Sequence, residues 1–261
     1  MIPYLAQLLD ITMNNGSLPT EWKRTTVLPV HKGGNGSLVA NYRPVSLTSV
    51  VCKQMEHVTA SYLRQVWDEN DCIYKGQHGF RPGYSCKSQE ITAGQDIVEF
   101  MDNGDRIDAT VIDFFKACDL VPHDWLLMKI AISSVDSRVV AWVREFLLGR
   151  TQRVKLGGQL SEEVRVTSGV LQGSVLGPLL FLAYINDIWR DNESTIRLFA
   201  DDCVIHRKII NKDIVKLQKD LDRLGELSAE NVMKINPSIC KTVCFTRGWV
   251  KDQLNYTLDD Q

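Results

Sequence analysis

The segment from Thr195 to His206 constrains the fold more than any other part of the sequence. It reads Thr-Ile-Arg-Leu-Phe-Ala-Asp-Asp-Cys-Val-Ile-His, with apolar residues on both sides of an Asp-Asp pair. This pattern predicts a strand, a tight turn at Asp201-Asp202 and a second strand. A hairpin tip more readily uses Asn-Gly or Asp-Gly, and adjacent carboxylates repel each other. A divalent cation would remove that repulsion, since hard cations prefer carboxylate oxygens; the alternative is a solvated acidic turn.

The composition is that of a globular protein with a substantial core. The chain has 261 residues, of which 44% are hydrophobic and 24% charged, enough for one large domain or two small ones. The formal net charge is −2. A partner nucleic acid would therefore have to bind a local basic patch, because the chain has no overall positive charge.

Cysteine usage and the chain start give weaker indications. The seven cysteines are scattered and contain no Cys-x-x-Cys pair, which argues against a disulfide framework or a zinc site and favours a reducing, intracellular compartment. The start at Met1 lacks the pattern of a signal peptide. Residues 167–186 carry no charge, but glycines and a proline interrupt them, so we expect a buried helix behind a glycine-rich loop rather than a membrane span.

Hydrophobic periodicity predicts a mixture of helices and strands without strict βαβ alternation. The fold class is therefore α+β. Predicted helices cover residues 2–13, about 49–65 with Ser49 or Thr48 as the cap, 88–101, 125–130, 138–148, 179–185 and 214–227. Predicted strands outside the acidic hairpin cover residues 25–30, 109–112, 152–156 paired with 163–166 across Gly157-Gly158, and 242–245.

Two further residues are candidates for chemistry, each with a plainer alternative. Arg81, flanked by glycines in Gln77-His-Gly-Phe-Arg-Pro-Gly83, could place its guanidinium on a phosphate or lie in a surface turn. Asp113 ends the apolar strand 109–112 and could hold a metal at the edge of the sheet or cap the following segment.

The order and spacing of five motifs resemble one known family. The chain is similar to the reverse transcriptase domain of non-LTR (LINE-like) retrotransposons of the Jockey or CR1 kind, from Leu18 to about Phe245. The motifs are Asn41-Tyr-Arg-Pro-Val-Ser-Leu47, Gln77-His-Gly-Phe-Arg-Pro-Gly83, Ile112-Asp-Phe-Phe-Lys-Ala-Cys-Asp119, Gln172-Gly-Ser-Val-Leu-Gly-Pro-Leu-Leu-Phe181 with Tyr184-Ile-Asn-Asp187, and Phe199-Ala-Asp-Asp202.

This resemblance implies a right-hand polymerase fold with an antiparallel palm sheet backed by helices. Residues 1–107 would form the fingers with an N-terminal extension. Residues 108–250 would form the palm, with an inserted helical and hairpin segment at about 123–168. Residues 251–261 would begin the connection to a thumb that is largely absent, and the family's endonuclease would also be absent.

The resemblance also assigns roles to the candidate residues. Asp113, Asp201 and Asp202, with the backbone carbonyl of Phe114, would hold two Mg²⁺ ions, for which Mn²⁺ could substitute. Four residues would bind the incoming nucleotide, and Lys241 would be the candidate general acid for the pyrophosphate. The four nucleotide-binding residues are Arg81, Cys118, Gln172 and Gly173.

The implied function is RNA-directed DNA polymerisation, the extension of a DNA primer with dNTPs on an RNA template, in the nucleus or cytoplasm and without a membrane partner. Departures from the family pattern leave alternatives open. Cys118 replaces a phenylalanine, Leu171 a proline, Leu227 a tryptophan, and Ile239 an expected lysine. The chain could therefore be a folded, inactive remnant of a transposable element that at most binds nucleic acid, or a nucleotidyltransferase that uses ribonucleotides.

Overall fold

The computed structural model describes residues 2–210, 213–248 and 256–258. These residues form a mixed α and β structure, which confirms the predicted α+β class. The helices are α1 (Ile2–Asn15), α2 (Thr20–Lys23), α3 (Val50–Glu69), α4 (Cys86–Asp102), α5 (His123–Ala131), α6 (Ser137–Leu147), α7 (Gly177–Ile185) and α8 (Asp213–Glu230). The strands are β1 (Arg24–His31), β2 (Tyr42–Leu47), β3 (Arg106–Ile112), β4 (Thr151–Leu156), β5 (Gln159–Leu160), β6 (Val164–Arg165), β7 (Thr195–Phe199), β8 (Asp202–Ile209) and β9 (Lys241–Phe245).

The chain divides into two compact units, each built from two separated stretches. The first unit comprises Met1–Cys72 and Cys118–Tyr184, and the second comprises Ile73–Ala117 and Ile185–Gln261. The predicted division into fingers at 1–107 and palm at 108–250 stays a prediction. Of the predicted connection at 251–261, only residues 256–258 are described.

The first unit contains a sheet with the strand order β2-β1-β4-β5, and β6 also pairs with β4. Strand β1 is antiparallel to β2 and parallel to β4. The helices of the first unit bury large aromatic side chains, among them Trp67, Trp142 and Phe146. The guanidinium of Arg150 is also buried, and it donates to the carbonyls of Phe146 (2.9 Å) and Trp22 (3.0 Å). These bonds, with a third to Thr25 Oγ1 of β1 (3.1 Å), tie the end of α6 to α2 and β1, so the helices and the sheet share one core.

The start of α3 illustrates how local sequence sets a helix boundary. The Ser49 hydroxyl accepts a hydrogen bond from the backbone N–H of Cys52, which selects Ser49 rather than Thr48 as the cap. The following helix buries Cys52, Met55, Leu63 and Trp67 along one side.

The second unit contains an antiparallel sheet with the strand order β7-β8-β3-β9. Helices α4 and α8 pack on its strands, which confirms the predicted antiparallel sheet backed by helices. Ile112, Leu198 and Cys203 are fully buried in the sheet, and Leu217 and Leu224 are fully buried in α8. The apolar periodicity of residues 214–227 therefore served packing, as the sequence predicted.

Two strand predictions need correction. Tyr42–Leu47 forms β2, a strand that was not predicted from the sequence; its pairing with β1 places Pro44 opposite Pro29. The turn at Gly157-Gly158 is present, with φ angles of +58° and +84°, but β4 pairs there with Gln159–Leu160. Only Val164–Arg165 of the predicted partner 163–166 pairs with β4, at the opposite end of the strand.

The structure also shows the state of the cysteines and the fold of the uncharged stretch, residues 167–186. All seven cysteines are free thiols. Residues 177–185 of the uncharged stretch form α7, whose Leu180 and Phe181 are fully buried. No helix among the described residues is both long enough and apolar enough to cross a membrane.

Candidate active site

The acidic turn lies at the tip of the β7–β8 hairpin. Phe199 pairs with Asp202, which leaves Ala200 and Asp201 as the two central residues of the turn. Ala200 has a φ of +56°, in the left-handed region that glycine adopts far more easily than alanine. The predicted strand, tight turn and second strand are therefore present. The backbone of the turn holds Ala200 in an unfavourable conformation.

The pairing of β3 with β8 brings a third carboxylate to this turn. Ile112 pairs with Cys203 in the antiparallel ladder, so the next position in the same register sets Asp113 beside Asp202. Directly opposed residues of an antiparallel pair point to the same face, with Cβ atoms about 4.5–5.5 Å apart. The fold thus gathers Asp113, Asp201 and Asp202 at one end of the second unit's sheet.

Asp113 is held from its other side by the segment that precedes β9. The backbone N–H of Asn236 donates to the Asp113 carbonyl (2.8 Å), and the Asn236 side-chain Nδ2 donates to Asp113 Oδ2 (3.1 Å). Two residues further along, the N–H of Phe115 donates to the Lys234 carbonyl (2.7 Å). This role of Asn236 was not predicted, because no local sequence pattern connects residue 236 with residue 113.

The charges of the three carboxylates act on one another. Burial raises the pKa of Asp201, and the neighbouring charges of Asp202 and Asp113 raise it further. Burial and the charge of Asp113 likewise raise the pKa of Asp202. Among the described residues, no arginine, lysine or histidine forms an ion pair with any of the three. Within the described part of the chain, the negative charge at this tip therefore has no ion-paired cation.

The donor set is suited to a hard divalent cation, which prefers carboxylate oxygens. Within the described part of the chain, however, no three His, Cys, Asp or Glu side chains are already arranged as a closed metal site. The backbone places the carboxylates side by side, and their rotamers would have to turn toward a common ion. The uncompensated, mutually repelling charges give the physical reason for such an ion to bind there.

Phe114 and Lys241 flank this group. The Phe114 side chain is buried, and its backbone forms an isolated antiparallel bridge with Ile235. Lys241 opens β9, is exposed, and pairs with Val111. Because side chains two residues apart on a strand share a face, the pairing puts Lys241 on the same face as Asp113.

Arg81 also belongs to the second unit and lies on the loop that precedes α4. Its Nη1 donates to the carbonyls of Tyr74 (3.3 Å) and Gln77 (3.4 Å), and the guanidinium lies 4.9 Å from the centre of the Tyr84 ring. In this arrangement Arg81 holds its own loop. Its contact with phosphates stays a prediction.

The other three predicted nucleotide-binding residues belong to the first unit. Cys118 lies in a 3₁₀ turn, and its carbonyl accepts the N–H of Val170 (2.8 Å). The side chain of Gln172 donates to Asp119 Oδ1 (2.8 Å), while its carbonyl accepts the N–H of Ser46 (2.7 Å).

Gly173 follows with a φ of +92°, and a Cβ there would lie 3.0 Å from the Ser46 carbonyl oxygen. The first unit thus fixes the loop around Gln172 against β2, in a conformation that requires glycine.

A buried carboxylate supports the same loop and was missed from the sequence. Glu56 of α3 is fully buried, and its Oε2 accepts the N–H groups of Val175 (2.7 Å) and Leu176 (3.3 Å). Burial raises the pKa of Glu56, while these two hydrogen bonds lower it. The only signal in the sequence was a glutamate on the apolar side of a helix.

Comparison with known proteins connects these arrangements to a family. The family model described as reverse transcriptase (RNA-dependent DNA polymerase) matches residues 30–257. The chain is 28% identical over 256 residues to a probable RNA-directed DNA polymerase from transposon BS of Drosophila melanogaster. It is 29% identical over 257 residues to the RNA-directed DNA polymerase from mobile element jockey of the same organism. Both alignments cover 94% of this chain but only 28% of the relative's length.

Solved structures with a similar fold include telomerases from Candida tropicalis. One, truncated from its C-terminal domain, gives a TM-score of 0.61 at 13% identity and covers 93% of this chain and 55% of the telomerase chain. Another, in complex with a fragment of telomeric RNA, gives 0.62 at 13% identity, with 98% and 47% covered. These matches confirm the resemblance indicated by the five motifs and the predicted right-hand polymerase fold.

Proposed function

Because the chain belongs to the reverse transcriptase (RNA-dependent DNA polymerase) family, we propose that it is an RNA-directed DNA polymerase domain. Its reaction is the extension of a primer 3′-hydroxyl with deoxynucleoside triphosphates on an RNA template. The observation that carries the proposal is the register of β3 and β8, which sets Asp113 beside the Asp201-Asp202 turn.

The three carboxylates are the proposed metal ligands, and enzymes of this family use divalent metal ions. We assign two Mg²⁺ ions, replaceable by Mn²⁺, to Asp113, Asp201, Asp202 and the Phe114 carbonyl. When bound, such ions lower the pKa of the attacking hydroxyl and neutralise the triphosphate and the leaving pyrophosphate. Asn236 keeps Asp113 Oδ2 oriented, since its side-chain amide donates to that oxygen.

Proton supply to the leaving group falls to Lys241 in this proposal. Its ammonium belongs to the same face of the sheet as Asp113, and a lysine can donate a proton to the pyrophosphate as it departs. The residue expected in this role by resemblance is replaced by Ile239, so Lys241 is the nearest basic substitute along the chain.

Nucleotide contacts are proposed for Arg81, Cys118, Gln172 and Gly173. Arg81 would leave its two long hydrogen bonds, of 3.3 and 3.4 Å, to bind the β- and γ-phosphates. Gly173 would let the backbone approach the incoming nucleotide. Cys118 stands where a bulkier ring would exclude a sugar 2′-hydroxyl, so we expect weak discrimination against ribonucleotides.

The partners follow from the reaction: an RNA template, a DNA primer and dNTPs. We place the protein in the nucleus or cytoplasm, and its free cysteines support a reducing compartment.

Primer extension by the full chain tests the proposal. An RNA template with an annealed DNA primer, Mg²⁺ and dNTPs should give extended product. Asp113→Asn and Asp201→Asn should abolish the product because each removes a metal ligand, whereas Asp124→Asn, at the exposed start of α5, should not. Extension that persists in Asp113→Asn together with Asp201→Asn would reject the assigned roles.

The same assay distinguishes an active polymerase from the inactive-remnant alternative. A chain that binds RNA–DNA hybrid in a salt-dependent manner but incorporates no nucleotide would be a remnant. Comparison of dNTPs with rNTPs identifies a ribonucleotide transferase.

A further inference from the structure

The loop before α4 packs against the acidic turn and the strand that leads into it. Gly76 and His78 bracket a parallel bridge between Gln77 and Leu198 of β7. The N–H of Leu198 donates to the Gly76 carbonyl (2.9 Å), and the N–H of His78 donates to the Leu198 carbonyl (2.8 Å). This loop therefore continues alongside β7 as far as the turn, all within the second unit.

The side chain of Gln77 extends this pairing onto the turn itself. Its Oε1 accepts the backbone N–H of Ala200 (2.9 Å), and its Nε2 donates to the Ala200 carbonyl (3.2 Å). The same Oε1 accepts the N–H of Gly79 (2.8 Å). Gln77 is 2% exposed, so water does not compete for these bonds. One amide thus fixes both peptide groups that flank Ala200.

The backbone of Gly79 lies too close to the acidic turn to carry a side chain. A Cβ on Gly79 would lie 2.1 Å from the backbone nitrogen of Ala200. The backbones of the loop and the turn are therefore in direct contact. Glycine at this point lets the Gln77 amide reach Ala200.

Ala200 is the residue that needs such support. Its φ of +56° is unfavourable for any residue with a Cβ, and it immediately precedes Asp201. If the Ala200 peptide groups rotated toward a more relaxed conformation, the directions of the Asp201 and Asp202 side chains would change. The hydrogen bonds from Gln77 oppose that rotation.

We propose that Gln77 is a positioning residue that holds Ala200 in its left-handed conformation, so that the backbone keeps Asp201 and Asp202 where their side chains can reach the proposed metal ions. The inference rests on the proposed function, because it gives the turn a catalytic purpose. Gln77 itself touches neither substrate nor ion; it acts through the backbone of Ala200.

The decisive variants are Gln77→Leu, Ala200→Gly and their combination. Leucine removes all three hydrogen bonds at similar volume, whereas glycine adopts a positive φ without cost. If the amide serves to hold φ, glycine at position 200 should partly restore what the Gln77→Leu change removes, and the double variant measures this coupling.

A second amide in the chain supplies a matched control. Gln218 of α8 makes the same kind of paired contact with a backbone, donating to the Thr257 carbonyl (2.8 Å) and accepting the Thr257 N–H (3.0 Å). Gln218→Leu removes the same kind of paired backbone hydrogen bonds at an exposed site, without contact with the acidic turn.

Three measurements on the full chain are needed: Mn²⁺ binding by electron paramagnetic resonance, amide exchange at Ala200 and the steady-state kinetics of nucleotide incorporation. Gln77→Leu should weaken Mn²⁺ binding, speed exchange at Ala200, and lower kcat on the order of 100-fold with little change in the KM for dNTP. Ala200→Gly in the same chain should recover part of the Mn²⁺ affinity and of kcat. Gln218→Leu should behave like the unmodified protein.

Other results would overturn the inference. Unchanged Mn²⁺ affinity in Gln77→Leu, or a loss that Ala200→Gly does not relieve, would mean that Gln77 has only a packing role. Rapid exchange of the Ala200 amide in the unmodified protein would refute it without any variant, even if Gln77→Leu failed to fold. Failure of the proposed function would instead be seen as absent incorporation by the unmodified chain, while Mn²⁺ binding and amide exchange would still report on Gln77.

Discussion

Replacing Gly79 with alanine tests how closely the acidic turn must be seated. The new Cβ would lie 2.1 Å from Ala200 N and 2.9 Å from both Ala200 Cα and the Phe199 carbonyl carbon. Ordinary contact begins at 3.4 Å, so the two backbones would have to separate by about 1.3 Å. All three contacting atoms belong to the backbone, and no side chain can rotate away to relieve the clash.

The structural consequence is a displaced turn in Gly79→Ala. A misplacement of about 1 Å at reacting groups reduces rates on the order of 100-fold, and we expect such a loss in single-nucleotide incorporation. Overpacking should also lower the free energy of unfolding by about 1–3 kcal/mol, measured by denaturant titration.

Gly94, in the middle of α4, is the matched control. A Cβ there has nothing within 4 Å. Gly94→Ala should therefore raise the free energy of unfolding by up to about 1 kcal/mol through helix propensity and leave incorporation unchanged. A Gly79→Ala protein that incorporates nucleotide at the unmodified rate would refute the argument, because the turn would then tolerate the separation.

Three further predictions follow from individual side chains. Burial raises the pKa of Asp201 in the folded protein. The protonated carboxyl therefore stabilises the fold below the ordinary aspartate pKa, and this contribution is lost as the pH rises through the raised pKa. Asp201→Asn should raise the melting temperature of the metal-free protein at neutral pH, and the difference should vanish in acid. Cys118→Phe should increase the ratio of kcat/KM for dNTPs over rNTPs, and an unchanged ratio would remove Cys118 from sugar selection. Glu56→Ala leaves the N–H groups of Val175 and Leu176 without their acceptor. It should lower the free energy of unfolding by about 1–3 kcal/mol for each of these groups, measured by denaturant titration. Glu69→Ala, at the exposed end of α3, should leave the free energy of unfolding unchanged.

Local features of the fold were predictable because they depend on neighbouring residues. The alternation around Asp201-Asp202 predicted the β7–β8 hairpin, and apolar spacing at three and four predicted α8. Ser49 capped α3 through a contact that reaches only three residues along the chain.

Strand partners were harder to predict, since pairing joins segments that are distant in sequence. β2 was missed because Tyr42–Leu47 contains a proline and lacks clear alternation. Its identity as a strand comes from its antiparallel partner β1, and β1 also pairs in parallel with β4, more than a hundred residues away. The partner of β4 was misassigned beyond the Gly157-Gly158 turn for the same reason.

The sequence by itself predicted which side chains carry the proposed chemistry, since the aspartates stand in motifs that resemble those of the family. Tertiary structure alone decided their arrangement. The register of β3 against β8 set Asp113 beside Asp202, and hydrogen bonds from Asn236 and Gln77 fixed the two sides of the site. Gln77 stands in one of the five motifs, but the sequence does not reveal the contact that either amide makes. Each acts on a backbone or carboxylate group more than a hundred residues away, and only folding brings them together.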